Sequence, residues 1–445
     1  MRKTRWLVSL LAGAAEAALA QTTSSRPPSF GAAPRINAGA PARQISLRAS
    51  VEASYDSNVF GTGNVAQLNG RSKDDFSITP SLLVDVVLPF GRNSAYLRGQ
   101  IGYDFYTRNS QLNRERIALD GGANLSALGS CSVSPNASYS RLRSNSGDIF
   151  LVDTTGFRAR NNVEERTSIG AQVQCGSTIG LTPALGYRHS TTRNSSPFFE
   201  PNDSNQDVID GSIGYARPSL GRVALFGSYA RGEYLGRDVN GNLRTLFPTA
   251  GDPSFRPNPA FMSNALDGVT SYSAGVRFER NIGSRIFGAV SLGYSWVDPE
   301  AVTSRRFRGN NYSVNLGLRP TDRLSVDLIA SRSADLSNTV FATYSVTEVY
   351  SLNGTYRMQP RLSFNFGSSH QTRDYQTRVR VDPLNQFTFI DSDKFTRAYV
   401  GAVYDLNRRL RLTGLFSQQG RKSSDSRFNY TNSTVTVGAS YRLGR

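Results

Sequence analysis

The chain has 445 residues, a net charge of +17 and 38% hydrophobic residues. After its first twenty residues no apolar run approaches the ~20 residues that a membrane-spanning helix needs, so a helical membrane bundle is excluded. A basic soluble protein would point to nucleic acid, but the sequence carries no nucleic-acid-binding motif and opens like an exported protein. Only four of the 51 basic residues are lysine, and arginine suits phosphate and carboxylate partners because its planar fork binds them bidentately.

Arg2, Lys3 and Arg5 precede an apolar stretch at 6–15, and Ala18-Leu19-Ala20 is a small-residue cleavage site before Gln21. Residues 1–20 therefore read as a signal peptide. Neither cysteine lies near the cleavage point, so the chain does not read as a lipoprotein. Residues 21–44, rich in Ser, Pro, Ala and Gly, read as a flexible periplasmic arm spanning about 25 Å. From Ile45 the pattern turns to strict alternation, the mark of strands with one apolar face. Leu47, Ala49, Val51, Ala53 and Tyr55 share one face; Arg48, Ser50, Glu52, Ser54 and Asp56 share the other.

The alternation runs to the C-terminus, interrupted in turn by short and long connections. Eight short turns fall at 89–94, 128–130, 176–180, 218–222, 281–285, 320–323, 359–361 and 407–409. Nine longer polar loops fall at 57–75, 109–115, 146–164, 195–205, 236–267, 299–306, 338–344, 377–392 and 422–427. Barrels of the outer membrane have short periplasmic turns and long outer loops. The chain thus predicts an all-β fold: a transmembrane antiparallel up-and-down β-barrel of about 18 strands over 45–445, with both termini periplasmic. Aromatics support this. Tyr55, Tyr103, Phe105, Tyr139, Tyr187, Tyr229, Tyr294 and Trp296 end outgoing strands, and Tyr215, Tyr356, Tyr404 and Tyr441 end returning ones, all in the apolar phase. Two interfacial girdles would place them so.

The inward phase is small and polar, with Ser77, Thr79, Ser81, Asn124, Asn136, Ser212, Ser291, Asn315, Asn353 and Gly367 among its members. Such side chains cannot fill a barrel of this width, which predicts an aqueous channel. The 236–267 loop, with Phe247, Phe255 and Phe261, is the candidate constriction, or else an external cap. Inward charges balance: Arg48, Arg98, Arg188, Arg277, Arg319, Arg357, Arg397, Arg411 and Arg442 against Glu52, Asp56, Asp85, Asp104, Asp120, Asp210, Glu279, Asp327 and Asp405. Cross-strand ion pairs along the wall are the expected reading. The arginine excess falls in loops, as at Arg114, Arg237, Arg305 and Arg306, and in short turns, as at Arg92, Arg285 and Arg361. These rims fit the phosphates of lipid and lipopolysaccharide.

Cys131 and Cys175 fall in the apolar phase at the periplasmic ends of neighbouring strands, and a structural disulfide is expected in that oxidising compartment. His189 and His370 are the only histidines, and no G-x-S-x-G, H-E-x-x-H or P-loop occurs, so neither an enzyme nor a cofactor or metal site is expected. The last strand, 436–443, resembles the assembly signal read by the barrel-assembly machinery, with Gly438, Tyr441 and Leu443 at its key positions.

The stretch Ala53-Ser54-Tyr55-Asp56-Ser57-Asn58-Val59-Phe60, followed by Ile78-Thr79-Pro80-Ser81-Leu82, resembles the first strands of the Putative beta-barrel porin 2 family. That resemblance implies an outer-membrane barrel supporting export or passage of exopolysaccharide, with polysaccharide and periplasmic export components as partners. The residues themselves equally admit a general diffusion porin for small polar solutes, or a structural or adhesive barrel that does not conduct. The oligomeric state is left open.

Overall fold

A computed structural model describes residues 43–443, apart from 64–67, 69, 128, 145–161, 177–178, 197–198, 241–262, 302–303, 338–341 and 378–390. The expected signal peptide, most of the arm and most of the 236–267 loop lie outside the described residues. Among the described residues eighteen strands are present: β1 (Gln44–Asp56), β2 (Asp75–Phe90), β3 (Asn93–Tyr106), β4 (Arg114–Ser126), β5 (Cys131–Arg143), β6 (Val163–Cys175), β7 (Gly180–Asn194), β8 (Ser204–Arg217) and β9 (Gly221–Asp238). They continue with β10 (Leu266–Ile282), β11 (Ile286–Pro299), β12 (Phe307–Leu318), β13 (Leu324–Leu336), β14 (Ala342–Gln359), β15 (Leu362–Thr377), β16 (Ser392–Asp405), β17 (Leu410–Ser423) and β18 (Tyr430–Leu443). Each pairs antiparallel with its neighbours in sequence, and β18 returns to pair with β1. Closure removes the edges that an open sheet would expose. The wall begins and ends at the edge that carries the short turns. The turns are tight because glycine can take a positive φ there, as Gly91 (62°) and Gly283 (61°) do.

The face that each residue occupies follows from the registers. On β9, Ala224 is 3% exposed while its neighbour Leu225 is 65% exposed. Leu185, Ile213, Leu292 and Val437 are likewise more than half exposed, all in the same outward phase. An apolar belt this continuous is untenable in water and fits the acyl region of a membrane. Tyr103 and Phe105 stack at 4.6 Å, Tyr294 and Trp296 at 5.0 Å, at the loop end of that belt. The opposite face is wet: the Arg98 side chain remains 47% exposed although it points inward.

The inner face is bulkier than its serines and asparagines suggest. Phe226 lies across Gly275 and Gly293 of β10 and β11; a Cβ built on Gly275 would stand 2.8 Å from the Phe226 ring. Tyr399 lies over Gly367 in the same way and donates to Asn353 Oδ1 at 2.9 Å. Glycine is required at these positions because a ring occupies the place of its side chain.

Candidate functional site

The strands do not all end at one height. β12 and β13 pair only from Leu318↔Val326 to Tyr312↔Arg332, whereas β13 and β14 stay paired out to Leu336↔Tyr344. Beyond Arg332 the β13–β14 hairpin leaves the wall and folds into the lumen. Its outward-phase residues Ala334, Leu336, Tyr344 and Val346 no longer meet lipid. They pack on Val269, Val297 and Phe307, which are inward-phase residues of β10, β11 and β12. Leu336 reaches as far as β9, where a Cβ on Gly232 would lie 2.6 Å from it. Asp335 reaches the electrostatic neighbourhood of Arg188 on β7.

Polar contacts fix the hairpin in place. The Tyr234 hydroxyl of β9 lies 2.6 Å from Ser337 O and 2.8 Å from Thr343 O, so its one proton is shared between two carbonyls of the hairpin. Arg237 stacks over the Tyr234 ring at 3.5 Å, donates to Ala342 O at 3.1 Å and pairs with Asp267 at 3.1 Å. Arg237 and Asp267 are both fully buried. Thr343 meets Asp267 and Ser304, and the Tyr344 hydroxyl donates to Arg305 O at 2.6 Å. The sequence places Arg237 in an outer-loop rim suited to lipid phosphates; it lies instead in a dry joint at the loop-end mouth. A buried guanidinium needs a carboxylate and hydrogen bonds, and this one has both.

Two further joints narrow the same mouth. Asp393 and Arg421 form a fully buried ion pair, the Tyr375 hydroxyl donates to Asp393 at 2.9 Å, and Arg421 lies near the rings of Phe395 and Phe428. Ala342 of the hairpin packs with Tyr375 and Phe428. On the other side Val59, Phe60, Leu68 and Leu112 form a small core beside Tyr106, and Arg143 donates to Val59 O at 3.0 Å. The 53–60 stretch is thus a loop-folding element: Asp56 accepts from the Asn58 backbone, and Asn58 donates to Thr62 O and Thr431 O. Away from the membrane-spanning strands, burial pushes the Asp203 carboxyl above its usual range, against the hydrogen bonds from Asn194 that lower it.

Along the wall, Arg98 stands directly opposite both Asp85 and Asp120 and pairs with Asp85 at 3.5 Å. Asp405 pairs with Arg411 at 2.7 Å. Asp104 accepts from Thr79 at 2.7 Å and pairs with Arg116 at 3.1 Å; Glu279 pairs with Arg222 at 3.6 Å. Arg116 is absent from the inward charges read in the sequence and Arg222 is read there as an arginine of the 218–222 turn, though counting alternate residues through β4 and β9 places both inward. Asp210 lies near Arg188 and Arg277, Asp327 near Arg319, and Arg397 near Tyr399. Arg357 stands opposite Ser363, Glu52 opposite Thr79 and Gly438, and Asp56 accepts from Asn432. Arg48 stands opposite Arg442. Cys131 and Cys175 face each other across β5 and β6 and are joined as a disulfide. Tyr441 and Leu443 are exposed on the outward face of β18, and Gly438 lies inward beside Glu52. His189 contacts Asp207 and His370 contacts Thr396, both on the outward face near the loops. Among the described residues no cluster of His, Cys, Asp or Glu is arranged to hold a metal.

Residues 257–443 match the family model described as Putative beta-barrel porin 2. No curated protein matches the sequence. Among solved structures, OccK2 (OpdF) of Pseudomonas aeruginosa in complex with glucuronate is 11% identical, covering 91% of this chain and 99% of that one, with a TM-score of 0.44. OprD of Pseudomonas aeruginosa is 11% identical over 90% and 95%, TM-score 0.42, and a BenF-like porin from Pseudomonas fluorescens 12% over 90% and 99%, TM-score 0.43. With TM-scores this low, these likenesses carry no weight for function. The family match covers β10 to β18, a different part of the chain from the first strands in which the resemblance was read. The family's model thus matches the β10–β18 part of the wall, and the whole chain is a closed, porin-like β-barrel of a Gram-negative outer membrane.

Proposed function

We propose that the barrel is a diffusion porin for small polar solutes. What carries this reading is a water-accessible, charged inner wall narrowed at its loop end by the β13–β14 hairpin. Exopolysaccharide passage, implied by the family resemblance, needs a wide path for a polymer. The hairpin and the two joints beside it favour small solutes instead. The exposed arginines of the short turns fit lipid phosphates, and β18 offers its Tyr441 and Leu443 face to assembly factors.

Planar-bilayer recording tests the reading. The purified barrel should conduct, and a variant in which residues 334–346 are replaced by a two-residue turn should conduct several-fold more. A silent wild-type barrel would overturn the proposal. So would a gene deletion that halts polymer release while leaving uptake of small solutes unchanged.

A further inference from the structure

We propose that Arg48 and Arg442, with Arg411 beside them, form an anion site inside the lumen near the short-turn end, taking solutes that carry carboxylate or phosphate groups. The site deepens the porin reading and rests on it for its access to solute.

Arg48 on β1 and Arg442 on β18 stand directly opposite each other across the seam where the barrel closes. Both face away from lipid, because their neighbours Tyr441 and Leu443 are exposed on the outer face and Ser50, in the phase of Arg48, bonds Ser81. Arg411 on β17 is opposite Ser440, two residues before Arg442, and its charge also acts on Arg48. The carboxylates within reach of Arg48 are Asp85 and Asp405, and each is held by another arginine: Asp85 by Arg98, Asp405 by Arg411. Among the described residues no ion pair engages Arg48 or Arg442.

Like charges directly opposite in a sheet are destabilising. A lysine pair could relieve this by losing a proton; arginine cannot. The repulsion is therefore permanent until an anion arrives. Arg48 and Arg442 are each half-buried, and two guanidinium forks match the oxygens of a carboxylate or phosphate. Lipid phosphates share that chemistry but cannot reach the inner face, which leaves dissolved solutes.

The test uses the whole barrel in detergent, titrated with citrate, with pyrophosphate and with an uncharged sugar, by calorimetry and by thermal unfolding. The wild type should bind the two anions, not the sugar, and unfold at higher temperature when they are present. Arg48→Gln/Arg442→Gln should bind them about tenfold or more weakly. It should also start more heat-stable than wild type in their absence and gain nothing from them. Arg48→Lys, which keeps the charge and loses the fork, should retain the repulsion and bind at an intermediate level. Equal anion binding by wild type and the double variant overturns the site, as does a double variant less stable than wild type without anion. Strong preference for one anion assigns the solute class. If the anions bind as expected while no variant conducts in bilayers, the porin reading fails and the site stands.

Discussion

Tyr234 concentrates the behaviour of the loop-end mouth in one hydroxyl. Tyr234→Phe keeps the ring under Arg237 and removes the proton shared by Ser337 O and Thr343 O. Two buried carbonyls then lose a donor, which costs about 1–3 kcal/mol. The expected result is a barrel that still folds, with a hairpin that detaches more often. Single-channel records should show frequent steps to a higher conductance, and a trace as quiet as wild type would refute the assignment. Little of this could be read in the sequence. Alternation places a residue on a face, and it placed Arg98 with Asp85 and Asp405 with Arg411 on the same one. It does not say where a strand leaves its neighbour, so Arg237 reads as a loop cation and nothing in the pattern singles out Tyr234. Arg48 and Arg442 were counted as inward, but only the closing register sets them against each other.

Strands and turns, by contrast, were legible. The turn at Gly91 and the long connections alternate as a barrel demands, and all eighteen strands were found because each keeps a period of two. The exception is the outer part of β13–β14. Ala334, Leu336 and Val346 carry the same alternation as lipid-facing residues, so the pattern reads as more wall there, with Tyr344 at the end of the 338–344 loop. What turns them inward is the early end of the β12–β13 ladder, a long-range fact that no local period records. Gly232 is the one local clue, a glycine where Leu336 needs its space. The 236–267 loop, read as a constriction or an external cap, falls mostly outside the described residues, while its flanks Arg237 and Asp267 help hold the hairpin.

At the scale of the whole barrel, stability rests on closure, on the apolar belt and on one covalent link. Leu185 is 60% exposed in the belt, so Leu185→Arg should cost about 2–4 kcal/mol, read as a lower denaturant midpoint in lipid vesicles. An unchanged midpoint would mean that this face does not meet hydrocarbon. The Cys131–Cys175 link closes a span of 44 residues that includes the long 144–162 connection. Replacing both by serine should cost about 3–4 kcal/mol by the loop-closure argument. Equal unfolding midpoints with and without reductant would show that strand pairing alone already constrains that loop.

The parting of β12 from β13 also draws a waterline on the barrel. Above Tyr312 and Arg332 each strand has one flank whose amides and carbonyls lack a neighbouring strand, and hydrocarbon cannot solvate such groups. The acyl layer must therefore stop at or below that row. The outward groups along it agree: Arg332 pairs with Glu348 at 3.3 Å, and the hydroxyls of Tyr312 and Tyr350 meet at 2.6 Å. A spin label or fluorophore carried just above this row should sense water, and one carried at Leu316, four pairs below, should sense lipid. The height at which this barrel floats is thus written in the place where two strands let go of each other.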